Sequence, residues 1–194
     1  MSDTREAWLT RAIVALRARF EAETLALPEH IHVSVGFPSR GGLRGKRGAT
    51  VGQCWAGAHS MDGAPHIFVS PLHEDAIAAL DTLCHEMVHA CMPPGTGHKR
   101  AFVRACERIG LSVGPARSQC AGSELRAVLE RLNAELGPWP HAALDAHSLP
   151  KAQGARLVKV TCRSCGYVAR VTRVWLDGPG APICPQDNQH MKET

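Results

Sequence analysis

The stretch His85-Glu86-Met87-Val88-His89 decides how the rest of this 194-residue chain is read. It falls inside a segment, from about His73 to Cys91, whose apolar spacing predicts a helix that Pro93-Pro94-Gly95 ends. In a helix, residues four apart are separated by about 40° around the axis and about 6 Å along it, so both imidazoles face one side. That spacing lets two nitrogens meet one zinc ion at about 2.0–2.1 Å, with Glu86 beside them to take a proton from water at the metal. With 11 histidines and 11 glutamates, chance alone produces the pattern in about 3% of such chains. Cys84 and Cys91 lie on another face of the helix, about 10 Å apart, and read as buried core thiols rather than a disulfide.

A catalytic zinc takes three protein ligands and keeps one position open. A metzincin would carry Gly at position 92 and His at 95; this chain has Met92 and Gly95. The next predicted helix runs from about Gly97 to Ile109, ended by Gly110. On it His98 shares a face with Phe102, Ala105 and Ile109, whereas Glu107 lies roughly opposite, so His98 is the preferred third ligand.

His85-Glu86-Met87-Val88-His89-Ala90, then Gly97-His98 and Phe102, preceded by Ile67-Phe68-Val69-Ser70-Pro71-Leu72, resemble the SprT-like (Spartan-related) zinc metallopeptidases. Residues from roughly 31 to 111 carry the resemblance. It implies zinc held by His85, His89 and His98 with Glu86 as general base. It also implies proteolysis near DNA, since some members degrade proteins covalently trapped on DNA. The turn Met92-Pro93-Pro94-Gly95-Thr96 is compact by comparison with the family.

Outward from this centre, an amphipathic helix carrying Leu9, Ile13, Leu16 and Phe20, capped by Ser2 or Asp3 and stopped by Pro28, opens the chain. Three short β-prone stretches follow, Ile31–Val35, Thr50–Trp55 and His66–Ser70, and another helix spans about Ser123 to Leu136. The expected fold class is α+β: a zincin-like catalytic domain over residues 1–136, with helices and a small three-stranded sheet. A linker rich in proline covers 137–153, and a zinc ribbon covers 154–194.

The ribbon expectation rests on Cys162-Arg163-Ser164-Cys165-Gly166 and on Cys184-Pro185. His190 is the leading candidate for a fourth ligand and Asp187 the weaker one. Four ligands closed around one zinc suit a segment too small to fold on its own core. Two zinc ions are therefore expected, one catalytic and one structural.

From Lys151 to Leu176 six cations, Lys151, Arg156, Lys159, Arg163, Arg170 and Arg173, occur without an acidic residue, interleaved with Tyr167 and Trp175. The pattern suits phosphate contacts and base stacking on single-stranded or junction DNA; a solvated face around a ribbon whose aromatics are core is the plainer alternative. A second acid-free stretch, His30 to Met61, carries Arg40, Arg44, Lys46 and Arg47 in a Gly-rich loop.

Hydrophobic residues at 44% and charged residues at 21% argue against wholesale disorder. No apolar run reaches the roughly 18 residues of a membrane span, and the first residues lack a secretory pattern, so the expected location is the cytoplasm, with nucleoid association as an option. In that compartment the eight cysteines read as metal ligands or core residues rather than disulfides. The expected function is a zinc-dependent endopeptidase acting on DNA-associated or DNA-crosslinked proteins. The alternatives are a non-catalytic zinc-containing nucleic-acid-binding or transcription-associated protein, and a metal-dependent hydrolase of another substrate.

Overall fold

A threonine cap and an apolar stripe set the first helix, α1 (Arg5–Ala22): Thr4 Oγ1 accepts from the Ala7 N–H, and Trp8, Leu9, Ala12, Ile13, Leu16 and Phe20 are buried along one side. The cap is thus one residue beyond the Ser2 or Asp3 expected. The computed structural model describes residues 3–39, 41–42, 50–113, 119–145 and 157–194. The Arg40, Arg44, Lys46 and Arg47 loop, Lys151 and Arg156 lie outside the described residues. The fold is mixed α+β, and the chain divides into two compact units, Met1–His147 and Ser148–Thr194.

In the first unit, strands β1 (His32–Val35), β2 (Gly52–Trp55) and β3 (His66–Val69) form a sheet in the order β1-β3-β2, with β1 parallel and β2 antiparallel to β3. Alternation along the strands turns Val33, Ile67 and Val69 into the core and sends His32, His66 and Phe68 to the other face. Helix α2 (Ala76–Ala90) lies against β2 and β3 and is buried around most of its circumference, including Leu80, Leu83, Met87 and Val88. It begins three residues later than its apolar pattern suggests, because Asp75 Oδ1 accepts from the Ala78 N–H at 2.9 Å and fixes the cap there.

Helix α3 (Arg100–Ile109) also starts late, after Gly95 and Gly97 take left-handed backbone conformations (φ 80° and 54°) that no helix continues through. Gly110 closes it at φ 95°, and Arg19 Nε donates to the Ile109 carbonyl at 2.8 Å. A hairpin that hydrophobic periodicity does not announce follows, β4 (Leu111–Val113) with β5 (Gln119–Ala121). Asp81 Oδ1 of α2 accepts from its Ala121 N–H at 3.1 Å. Helix α4 (Ser123–Leu136) completes the core with Leu125, Leu129 and Leu132.

The expected linker does not begin at Gly137. Trp8 Nε1 donates to the Gly137 carbonyl at 3.0 Å, the Trp8 and Trp139 rings sit 4.8 Å apart, and the Leu144 N–H donates to the Pro71 carbonyl at 2.9 Å. Pro138 and Pro140 prevent a helix there, but they do not prevent an extended segment from burying a tryptophan against its own domain.

The second unit holds β6 (Leu157–Thr161), β7 (Val168–Thr172), a short helix α5 (Arg173–Asp177) and β8 (Lys192–Glu193), with the antiparallel order β7-β6-β8. β7 ends at Thr172, where α5 takes over. Its core consists of Val160, Cys162, Cys184 and Met191, with Ala169, Val171 and Leu176 packed around them. No helix among the described residues is long and apolar enough to cross a membrane.

Because Trp8 is fully buried against α4's end and Trp139, Trp8→Ala should cost the first unit about 3–5 kcal/mol, read as a lower denaturation midpoint in urea. A loss below about 1 kcal/mol would contradict this packing.

Candidate metal centres

Helix α2 carries His85 and His89 one turn apart, and the turn that precedes α3 brings His98 to them. His98 Nε2 lies 3.1 Å from His85 Nε2 and 3.2 Å from His89 Nε2. Tetrahedral ligands at about 2.0–2.1 Å from a zinc ion are separated by about 3.3–3.4 Å, so the three nitrogens fit a shared ion closely. The expected face-sharing of His98 with Phe102 on one helix is not how this arises. His98 precedes the first turn of α3, and the left-handed glycines on its N-terminal side turn the chain so that it meets His85 and His89. Glu107 is exposed and belongs to no ligand group among the described residues.

Phe102 holds the trio in place. It is fully buried, stacks on the His89 ring at 4.0 Å, and meets the His85 and His98 rings at 5.0 Å each. Burial first, then the neighbouring His85 and His98, push the His89 imidazole down to about 3, which keeps it neutral as a metal ligand must be.

Glu86 is only 5% exposed, and burial pushes its carboxyl up to about 8. Its packing depends on Gly52, a residue that sequence reading did not single out. A Cβ there would stand 2.5 Å from Glu86 Oε1 and 2.6 Å from Thr82 Cγ2, so only glycine lets β2 approach α2 at this point. A glycine inside a β-prone stretch was the available signal, but its neighbour across the fold is invisible in one dimension. Cys54, two residues on, is pushed up to about 12 by burial first and then by Glu86, and stays a thiol. Cys84 is buried and Cys91 half-buried, both free, as core thiols should be.

The second unit gathers Cys162, Cys165, Cys184 and Asp187, with ligand atoms all within 4.8 Å of one another. Cys165 Sγ and Cys184 Sγ are 3.5 Å apart, and the Cys162 thiol donates to Asp187 Oδ2 at 3.1 Å. His190, the expected fourth ligand, is outside this group: it is exposed and its Nδ1 is 3.1 Å from the Ala181 carbonyl. The correction has a backbone cause. The two halves of the group repeat one loop, in which Gly166 N–H bonds to Cys162 O and Cys162 N–H to Tyr167 O, just as Asn188 N–H bonds to Cys184 O and Cys184 N–H to Gln189 O. Gly166 (φ 77°) and Asn188 (φ 51°) supply the same left-handed turn. Cys184-x-x-Asp187 therefore copies Cys162-x-x-Cys165, and Asp187 completes the group of four. Although burial opposes it, the N–H groups of Asp187 and Gln186 hold the Cys184 thiol below its ordinary value.

The described residues thus hold side-chain groups that can bind metal ions and are compatible with zinc. Comparison with protein-family models, with curated proteins and with solved structures finds no match to this chain.

The cations of the second unit separate by tertiary environment. Lys159 and Arg170 are cross-strand partners on the exposed face of β6 and β7, and Arg163 is exposed in the first metal loop. Arg173 is not an unopposed charge: its guanidinium makes a two-pronged pair with Glu193 at 2.6 and 2.9 Å and lies 3.6 Å from Asp177. Tyr167 at 48% and Trp175 at 65% exposure are surface residues, not the core of the module.

Two outcomes test these centres. Asp187→Ala should lower the metal content of the second unit while His190→Ala leaves it intact, as metal analysis of each pure protein will show; the reverse pattern restores His190. In chelator-treated protein, Glu86 keeps its proton when folded up to about pH 8 but loses it near its ordinary 4.5 when unfolded, so stability falls as pH rises across that window. Glu86→Gln should remove this fall, visible as a melting-temperature gap over the parent that widens from pH 5 to 8. Parallel curves would show that Glu86 is not buried as described.

Proposed function

We propose that the chain is a zinc-dependent endopeptidase with a zincin-like first unit and a zinc-ribbon second unit, acting on proteins associated with DNA. The observation that carries this is the convergence of the His85, His89 and His98 Nε2 atoms at the helix that also carries the buried Glu86. His85, His89 and His98 would hold one zinc; Cys162, Cys165, Cys184 and Asp187 would hold a structural one. A bound zinc at the histidines supplies Lewis acidity toward a carbonyl oxygen and a nearby water. Glu86 takes a proton from the attacking water and delivers it to the departing amine nitrogen as the peptide C–N bond breaks. Burial raises its proton affinity in the metal-free protein, and the charge of a bound zinc would lower it again so that the carboxylate can act as the base.

A substrate track supports peptide over other substrates. β2 is an edge of the three-stranded sheet, so its outer N–H and C=O groups can pair with an extended chain. A cleft of about 430 Å³ runs along it, between Gln53, Cys54 and Trp55 on one side and Pro94 and Gly95 on the other. The DNA association rests on the second unit, where Lys159, Arg163 and Arg170 with exposed Tyr167 and Trp175 combine phosphate-binding charge with stacking surfaces.

Glu86→Gln should keep its metal yet cut peptide-bond cleavage by about 10²–10⁴-fold, measured on a protein substrate. Undiminished cleavage would end the peptidase proposal. Lys159→Glu with Arg170→Glu should weaken binding to single-stranded DNA and flatten its salt dependence by roughly one to two phosphate contacts. Arg173→Ala, whose charge Glu193 already meets, should change binding far less; equal effects would mislocate the DNA face.

A further inference from the structure

The parallel pairing of β1 with β3 sets His32 directly beside His66, the first residue of each strand, on the sheet face opposite the helices. Their rings lie 4.4 Å apart. The turn entering β3 adds Asp62, whose Oδ2 is 2.6 Å from His32 Nε2. Its other oxygen is already held: Oδ1 accepts from Ser60 Oγ at 2.5 Å and from the Ala64 N–H at 3.0 Å. Ser60 Oγ in turn lies 3.0 Å from His66 Nε2. Ligand atoms of His32, Asp62 and His66 all fall within 4.8 Å of one another.

We propose that His32, Asp62 and His66 form a third divalent-cation site, of the zinc class, on the open face of the sheet. Two imidazoles and one carboxylate are a donor set that borderline dications take. The support around the carboxylate is the kind that metal sites carry: Ser60 and Ala64 fix Oδ1 and leave Oδ2 to His32. An ion there ties the start of two strands to the turn between residues 60 and 64. Three protein donors leave a coordination position for water or an anionic group. His66 also lines a cleft of about 310 Å³ with Phe37, Trp55 and Phe68, which places the ion at the border of an aromatic surface.

The site is independent of the two centres already described, and its test is a difference in count. Full-length parent, His32→Ala with His66→Ala, and Asp62→Asn are each dialysed to equilibrium against micromolar zinc, and metal per chain is measured. The parent should hold one zinc ion more than either variant, whatever the other centres bind. Asp62→Asn preserves the side chain's size, so it decides the matter where the double variant loses its fold, as circular dichroism would reveal. His30→Ala, an exposed histidine two residues upstream, should leave the count unchanged. Equal counts in the parent and Asp62→Asn, or the same loss on His30→Ala, would overturn the proposal.

Discussion

Everything in the first unit is arranged around the burial of a carboxylate. Glu86 sits on a helix that is apolar on nearly all sides, against a strand that can come close only because residue 52 is glycine. Burial raises the proton affinity of that carboxyl, and the close approach of β2 sustains the burial. Leu80, Leu83, Met87 and Val88 hold the helix, Asp75 and Asp81 pin its first turns and its neighbour β5, and Phe102 braces the imidazoles. A polar group of this kind survives in a core only when its surroundings are over-determined.

The second unit solves the opposite problem. Among its described residues it buries four apolar or thiol side chains and has no helix longer than five residues, far too little to offset the entropy of ordering it. Two of the four, Cys162 and Cys184, are also metal-ligand candidates, so core and metal site are the same object. The twin loops explain why a carboxylate can stand in a position otherwise suited to cysteine: the backbone presents residue i+3 of each loop to the same point, whichever donor it carries.

Charge shows how far a linear pattern can mislead. The segment from 151 to 176 holds no acidic residue, yet Glu193 reaches Arg173 through the pairing of β8 with β6, and Asp177 reaches it from the next turn of α5. Lys159 and Arg170, eleven residues apart, become neighbours through strand register. Exposed pairs of this sort add little stability, but they decide which cations still present an uncompensated charge to a polyanion.

The sequence alone determined what depends on spacing within one element. The apolar stripes of α1, α2 and α4, the shared face of His85 and His89, and the alternating strands are all fixed by the 3.6-residue and two-residue periods of the backbone. Tertiary structure decided whatever depends on turns and on pairing between distant segments. His98 reaches His85 and His89 after two left-handed glycines rather than from a helical face, and Asp187 rather than His190 joins the three cysteines because a turn at Asn188 repeats the one at Gly166. Trp139 folds back onto Trp8, and His32 meets His66 across a strand pair with Asp62 between them. Such contacts carry no period, because they arise where the chain changes direction, and only the packed fold specifies that direction.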